Sequence, residues 1–543
     1  MRVTNKMMTT GMLNNIMSNK SDMNTKFNQY TTQQKIQRPS EDPVIAIRSL
    51  KYRANYTQIK QFLEKNVKDA YNWMDVTESA LTQMAEVLSS VQKYVDQGAN
   101  DSYDTIQRDS ISSQLQQYKT ELYSMLNTDC AGRYVFSGYR TDTSVCYLKD
   151  DNSKQYTITE SLTFENMFEK KYVSGCIDVQ PQDDDPNTNT NTEDHYAKYY
   201  KPETKSVYCL NLGYANLDVF DVDDTQNPQK VIGCEIKYTD KNGIENHLDN
   251  IKVCKSTDPN AYDCEDDEVK FIQDTGEIIF GKKYYEDFRT AKTITAKYKK
   301  HEFEKDDVRP EMYYDCSSVE VQKDANGNVI KDQNTEISVK ADTEKIYKAP
   351  DSQDICYNIS TSQSLKVNTL ANQTINTAFS RAIDNIMQAV DDAYAAQTKL
   401  EKAEQLLSDS TLDEPTKKAY EKYKEQCSVE LALKKDLIRA AFSSAITTTQ
   451  RTSSGTKVAY TDGSVKRIGI SIAEADLGSR YSRLDLIKVR LEDQRTSITE
   501  LMDSNEKVNL EEAIVNYNAA EMTYNASLSA TSKVVQNSLL DFL

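Results

Sequence analysis

Three histidines, ten cysteines and a surplus of carboxylates are the residues of this chain that carry catalytic or metal-binding chemistry. Each such chemistry needs a particular spacing. His195, His247 and His301 stand far apart in polar stretches, where a lone imidazole is expected to be solvated. His301-Glu302 opens like a metalloprotease helix, which needs a second histidine one turn on so that two imidazoles meet one zinc ion. Position 305 is Lys. Asp324-Ala325-Asn326-Gly327-Asn328-Val329 follows a calcium loop only in part. Its glycine comes at the fourth position rather than the sixth and no glutamate stands at the twelfth, so it reads as a β-turn. The cysteines fall between Cys130 and Cys427 with no C-x-x-C pair, which supports neither a zinc knuckle nor a dithiol redox motif. Free thiols and long-range disulfides both stay open. There is no glycine-rich phosphate loop and no G-x-S-x-G elbow. The expectation is a protein that is not an enzyme and takes no metal or cofactor.

The bulk numbers narrow the class. A chain of 543 residues allows about three to four domains. Its net charge of −18 repels phosphate backbones, so nucleic acid is not an expected partner. No apolar run approaches the roughly 20 residues of a membrane span, so no membrane insertion is expected. The start, Met1-Arg2-Val3-Thr4-Asn5-Lys6, lacks the apolar core and small-residue cleavage site of a secretory signal, so none is expected to be removed.

What the chain has in place of catalytic spacing is seven-residue hydrophobic periodicity, at both ends. Ile16, Met23 and Tyr30 fall on one helical stripe with Leu13 and Phe27. Leu510, Tyr517 and Tyr524 form another, beside Ile514, Leu528, Val535, Leu540 and Phe542. Such stripes seek partner helices. The N-terminal one is diluted by polar residues, Lys20 among them, and a weak stripe does not hold a helix alone. Both are expected to be disordered in the monomer and to order when neighbouring subunits supply the missing faces.

Stronger stripes lie inside. Leu63, Ala70, Thr77, Met84 and Val91 alternate with Val67, Met74, Leu81, Leu88 and Val95, up to a stop at Gly98. Asp42 before Pro43 is the start signal, an N-cap carboxylate followed by proline at the first helical position. A second helix is predicted from near Asp104 to before Gly132. From about 134 to 360 the period changes to strands and turns: Val269–Phe280 reads as strand, turn, strand, Lys292–Lys300 as a half-buried strand, and Asn242-Gly243 and Asn326-Gly327 as hairpins. Residues 181–194 have almost nothing to bury and read as a loop. Helix returns near 365 with Phe379, Ile386, Ala393, Leu400 and Leu407, then over 415–448, then a hairpin at Asp462-Gly463. Another follows with Leu477, Leu484, Leu491 and Ile498, and a last one reaches the C-terminus. The predicted class is α+β: an elongated coiled-coil bundle built from both chain ends, with a β-rich domain inserted between them. The expected division is 1–40 terminal assembly segment, 41–148 N-terminal part of the bundle, 149–354 inserted outer domain, 355–505 C-terminal part of the bundle and 506–543 terminal assembly helix.

Two motifs carry a family resemblance. Arg38-Pro39-Ser40-Glu41-Asp42-Pro43-Val44-Ile45-Ala46 resembles the early S-x-D-P-x-x-A loop of the flagellin superfamily. Gly132-Arg133-Tyr134-Val135-Phe136-Ser137-Gly138-Tyr139-Arg140-Thr141 resembles the version of a site found in hook-associated proteins of the hook–filament junction, where filament flagellins usually carry F-N-G. Ile355–Ser360 with Leu365–Asn368 is similar to the strand that re-enters the helical domain. The resemblance covers 1–148 and 355–543. It implies a structural subunit of the bacterial flagellum, exported unfolded by the flagellar type III apparatus to an extracellular place. It also implies a homo-oligomeric ring between hook and filament, an inner tube of terminal helices, another hook-associated protein on the hook side, flagellin on the filament side and an export chaperone. The thiols are then expected to be reduced before export, and 410–470 looks like an insertion into the usual C-terminal helix. Filament flagellin shares the heptads and is the nearest rival. An extracellular protein whose 150–350 region binds a surface ligand is the rival from another class.

Overall fold

The computed structural model describes residues 5–100, 103–176, 201–223, 230–241, 243–248, 251–258, 260–324, 328–331, 337–350, 353–408, 414–459 and 464–540. The hairpin signals at Asn242, Asn326-Gly327 and Asp462-Gly463, the loop 181–194, His195 and Phe542 lie outside them. The chain forms two compact units, residues 1–71, 357–365 and 481–543 in one, 72–356 and 366–480 in the other.

The first unit is built where the two ends of the chain meet. Helix α1 spans Asn5–Thr32 and α2 spans Pro43–Gln61. Asp42 caps α2 as expected, its carboxylate accepting the Val44 and Ile45 N–H groups at 2.9 and 3.1 Å. A π-turn over Phe62–Asn66 leads to α3, Val67–Gly98, of which only the first turn belongs to this unit. Opposite them run the end of α8, Ile470–Glu506, and the terminal helix α9, Leu510–Leu540. Tyr71 tilts against Tyr481 at 5.9 Å while Arg53 holds Glu506 at 2.8 Å and Asn505 donates to the Ile45 carbonyl at 3.1 Å, so the facing segments are antiparallel.

The second unit holds helices and sheets. The α3 stripe from Met74 to Val95 is buried. Its one polar member, Thr77, returns its hydroxyl to the Trp73 carbonyl at 2.8 Å and so sits in an apolar stripe without an unmet hydrogen bond. Gly98 ends α3 beneath the Phe442 ring of α7, Glu414–Ser454, where any side chain would collide. Helix α4, Thr105–Met125, starts on an Asp104–Gln107 capping box. It packs on α6, Thr377–Leu407, through Lys119–Asp384 at 2.6 Å and Tyr123–Phe379 at 6.5 Å. The long helix expected near 365 begins only at Thr377, after a single helical turn at Ala371–Thr374. Residues 363–366 pair instead as the second strand of a hairpin, Cys356–Ser360 with Gln363–Lys366, of which 357–365 belong to the first unit. Ser360-Thr361-Ser362 turns the chain before the heptad begins.

The expected β-rich middle contains two main sheets. In the first, Lys154–Leu162 (β3) lies between Thr293–Lys300 (β13) and Asp315–Val321 (β14), flanked by Val339–Tyr347 (β15), Glu235–Thr239 (β8) and Glu245–Leu248 (β9). All its pairs are antiparallel, with Tyr298 opposite Ile158. Strand β13 alternates as predicted, Ile294, Ala296 and Tyr298 inward. The second sheet runs Ile251–Cys254 (β10), Val269–Ile272 (β11), Glu277–Phe280 (β12), Glu203–Asn211 (β5), Met167–Ser174 (β4). The predicted strand–turn–strand at 269–280 is β11–β12, and Gly276 supplies the positive φ of its turn. Ribbons Asp129–Cys130 with Arg133–Tyr134 (β1, β2), Asp221–Asp223 with Lys230–Ile232 (β6, β7) and Thr456–Ala459 with Val465–Ile468, and helix α5, Lys282–Thr290, complete it.

His301 is not solvated: it is buried, with Nδ1 2.6 Å from the Asp218 carboxylate, whose other oxygen accepts Gln155 at 2.9 Å. Asp218 bridges to Lys299 of β13, two residues before the ring, and a buried ring nitrogen needs such a partner. Cys146, Cys209, Cys234 and Cys316 are likewise buried, and burial pushes each thiol well up, away from the reactive thiolate.

Candidate assembly surface

Helices α1 and α9 lie side by side, joined at one end by a short clasp. Gln33, in the left-handed region at φ 58°, ends α1. Its carbonyl accepts Val508 N–H at 3.0 Å, and Lys35 N–H returns to the Glu506 carbonyl at 2.8 Å. Tyr30 stacks on Tyr517 at 6.1 Å and the Phe27 ring tilts against it at 5.6 Å, so with the Gln33–Val508 clasp the pair is antiparallel and the two terminal stripes meet along one seam. Ile16, Met23, Tyr517 and Tyr524 are half-buried along it.

The seam leaves the stripes only partly covered. Leu13, Phe27, Tyr30, Leu510, Ile514 and Leu528 stay between 37% and 53% exposed. A fully buried side chain of this size contributes about 1.5–3 kcal/mol, so each contributes roughly half of that here. Two helices touching along one line cannot close a core; a stripe wider than about 100° needs further neighbours. Met17, Val515 and Met522, which the seven-residue count passes over, are exposed beside it, as are Ile47 and Leu50 of α2 and Leu486 and Val489 of α8. Their signal was the second position of each helical turn rather than the heptad itself. Val535 and Leu540 continue α9 as helix.

The motif residues do a different job. Pro39 and Ser40 lie in the bend before α2, where Gln37 N–H donates to Glu41 at 2.8 Å, and Asp42 with Pro43 starts the helix. Ala131 and Gly132 take φ of 54° and 79° at the tip of the β1–β2 ribbon, and Asp129 accepts Gly132 N–H at 3.0 Å. Arg133 is exposed; Phe136 is buried and its carbonyl accepts Ala371 N–H at 3.0 Å. Gly138, at φ 65°, passes against Gln353 and Leu370. Tyr139 N–H donates to the Gln353 side chain at 3.0 Å, Tyr139 hydroxyl to the Asp354 carbonyl at 3.3 Å, and the Arg140 guanidinium lies 4.4 Å from the Tyr347 ring. The motif therefore clips the strand entering the β-rich region to the strand leaving it. Asn368 finishes the clip, bonding Ile355 N–H and the Gln353 carbonyl, each at 2.8 Å.

Among the described residues no helix is long and apolar enough to cross a membrane, and no group of three or more His, Cys, Asp or Glu side chains converges as a metal site. Residues 3–141 match the bacterial flagellin N-terminal helical region. Flagellar hook-associated protein 3 of Salmonella typhimurium is 25% identical over 143 residues, 26% of this chain and 45% of that protein. The Escherichia coli K12 protein of the same name is 24% identical over 151 residues, with the same shares. The match thus spans less than half the length of these curated relatives. A solved structure of flagellar hook associated protein-3 from Legionella pneumophila overlays 83% of this chain and 97% of its own at 10% identity, with a TM-score of 0.29, a level that carries no argument. The expected resemblance holds: residues 3–141 are similar to the flagellin N-terminal helical region, and about a quarter of the chain is similar to hook-associated protein 3.

Proposed function

We propose that this chain is a structural subunit of the bacterial flagellum that assembles, as hook-associated protein 3 does by name, at the hook, and forms the ring joining hook to filament. The observation that carries the reading is the half-covered α1–α9 seam. Its apolar side chains are aligned on two helices that only further copies of the same pair can cover, which is what a tube of terminal helices requires. The work is disorder-to-order assembly and no bond is made or broken. Export through the flagellar type III apparatus, a chaperone in the cell, a second hook-associated protein on one face and flagellin on the other follow from the same reading. So does the division into 1–40 and 506–543 as assembly segments, 41–148 and 355–505 as the bundle, and 149–354 as an outward domain.

The test is an assembly assay on isolated hooks with the full-length chain and a Phe27→Ser/Tyr517→Ser variant, read by electron microscopy and by the number of copies bound. The native chain is expected to add a short ring of few copies, and the variant none, while its second unit unfolds at an unchanged temperature. Long filaments made by this chain alone would make it a flagellin. Ring formation by the double variant would remove the seam from the mechanism.

A further inference from the structure

A cavity of about 70 Å³ opens at the N-terminus of α6, bounded by β3, by Tyr313–Asp315 and by the segment before α6. One water needs roughly 10–15 Å³ on the same scale, so the space takes roughly five heavy atoms. Its walls carry polar groups with nothing to bond. Asn372, Arg381 and Tyr313 are 5%, 4% and 7% exposed, yet both amide ends of Asn372, the Arg381 Nε–H and the Tyr313 hydroxyl have no partner. Buried groups of this kind cost about 1–3 kcal/mol each when left unmet. The Arg381 side chain is fixed by its other nitrogens, one 3.3 Å from Asp384 and one on the Thr275 carbonyl, so its free N–H points where it does by construction. Asn376, the residue before α6, does not cap the helix, which leaves the positive end of a 31-residue helix facing the same space.

We infer that this cavity binds a small hydroxy-monocarboxylate. The donors, Arg381 Nε–H, Asn372 Nδ2–H and Tyr313 O–H, suit the two oxygens of one carboxylate. The Asn372 carbonyl is the remaining acceptor and suits a hydroxyl on the neighbouring carbon. The Arg381 guanidinium is shared with Asp384, and Glu160 and Asp315 line the same space, so the site has room for a negative charge only when Glu160 is protonated, and then for one and not two. Glu160 already accepts Gly213 N–H and the Tyr298 hydroxyl, both at 2.9 Å, with Tyr314 and Arg381 beside it. Its carboxyl titrates near 7 because burial disfavours the ion. A bound anion repels the ionised form, so affinity should rise as pH falls through 7. Such a ligand would join the start of α6 to strand β3. This site stands apart from the flagellar reading, and either can fail alone.

Glycolate is the probe, against chloride at matched ionic strength, with the full-length chain. Saturation-transfer NMR and thermal unfolding read binding. Wild-type protein should show saturable binding that tightens at least threefold from pH 8 to pH 6. Asn372→Leu, which fills the space with an apolar group, should weaken it at least tenfold, and Arg381→Gln likewise. Should Arg381→Gln fail to fold, Asn372→Leu alone decides. Absence of glycolate binding at both pH values, unchanged affinity in Asn372→Leu, or weakening toward pH 6 overturns the site.

Discussion

Burial lifts the Glu160 carboxyl from the ordinary glutamate range to about 7, and this shift makes a stability prediction with a definite sign. Between about 4.5 and 7 the unfolded chain has released the proton while the folded one keeps it. Stability therefore falls as pH rises through that window and levels above it. At about 1.4 kcal/mol per pKa unit the loss is on the order of 3 kcal/mol. Glu160→Gln keeps an acceptor for Gly213 and Tyr298 but cannot ionise. Denaturant titrations at pH 5 and pH 7.5 should show the variant gaining about 2–3 kcal/mol on wild type between them; parallel changes in both proteins would exclude the assignment. Two glycines make a second pair. Gly132→Ala faces open space and should cost only the left-handed backbone penalty, about 1 kcal/mol. Gly138→Ala adds a clash with Gln353 and Leu370 and should cost more, read as the difference in denaturation midpoint. Both glycines were visible in the sequence as a motif, but not their reason, since Gln353 is 215 residues further along from the first contact it makes with that turn, Gly138. Glu160, Asn372 and Arg381 were invisible for the same cause. They come from separate segments, none carries a local pattern, and only the folded chain brings them together.

At the scale of elements, caps and stripes were legible because they are local. Asp42-Pro43 announces α2, Gly98 stops α3, and the β11–β12 turn follows from Thr275-Gly276. Asp42→Ala should therefore cost about 1 kcal/mol, with faster amide exchange confined to the first turn of α2. What was not legible was how two weak terminal stripes combine. Each alone predicts a frayed segment, and in the structure they share the Phe27–Tyr30–Tyr517 cluster. That contact is thin, so the isolated chain should lose about residues 1–40 and 505–543 to brief proteolysis and keep a resistant remainder. Protection of α1 and α9 from amide exchange equal to that of α3 would show the seam to be complete without neighbours. The heptad count, Phe379 backward, placed helix near 365 because it has no means of seeing a two-residue hairpin turn in a run of Ser and Thr; strand there was legible only through the family resemblance of Ile355–Ser360 and Leu365–Asn368.

For the whole molecule, the fold class came from a change of period: seven, then two, then seven again. The strand order of the sheets did not, because β3 pairs with both β13 and β14 through residues more than a hundred apart. Replacing residues 149–350 by a short Gly/Ser link should leave helical circular dichroism and hook binding intact if the bundle alone makes the ring. Loss of hook binding with the helices still folded would assign the middle of the chain a part in assembly. The clip at Gly138–Tyr139 and Gln353–Asp354 explains why such a graft is feasible, and it has a mechanical corollary. A loop whose two roots are pinned together is short-circuited. Force applied through the helices would cross from one root to the other over a few ångströms, and the two hundred residues between them would be carried along without bearing it.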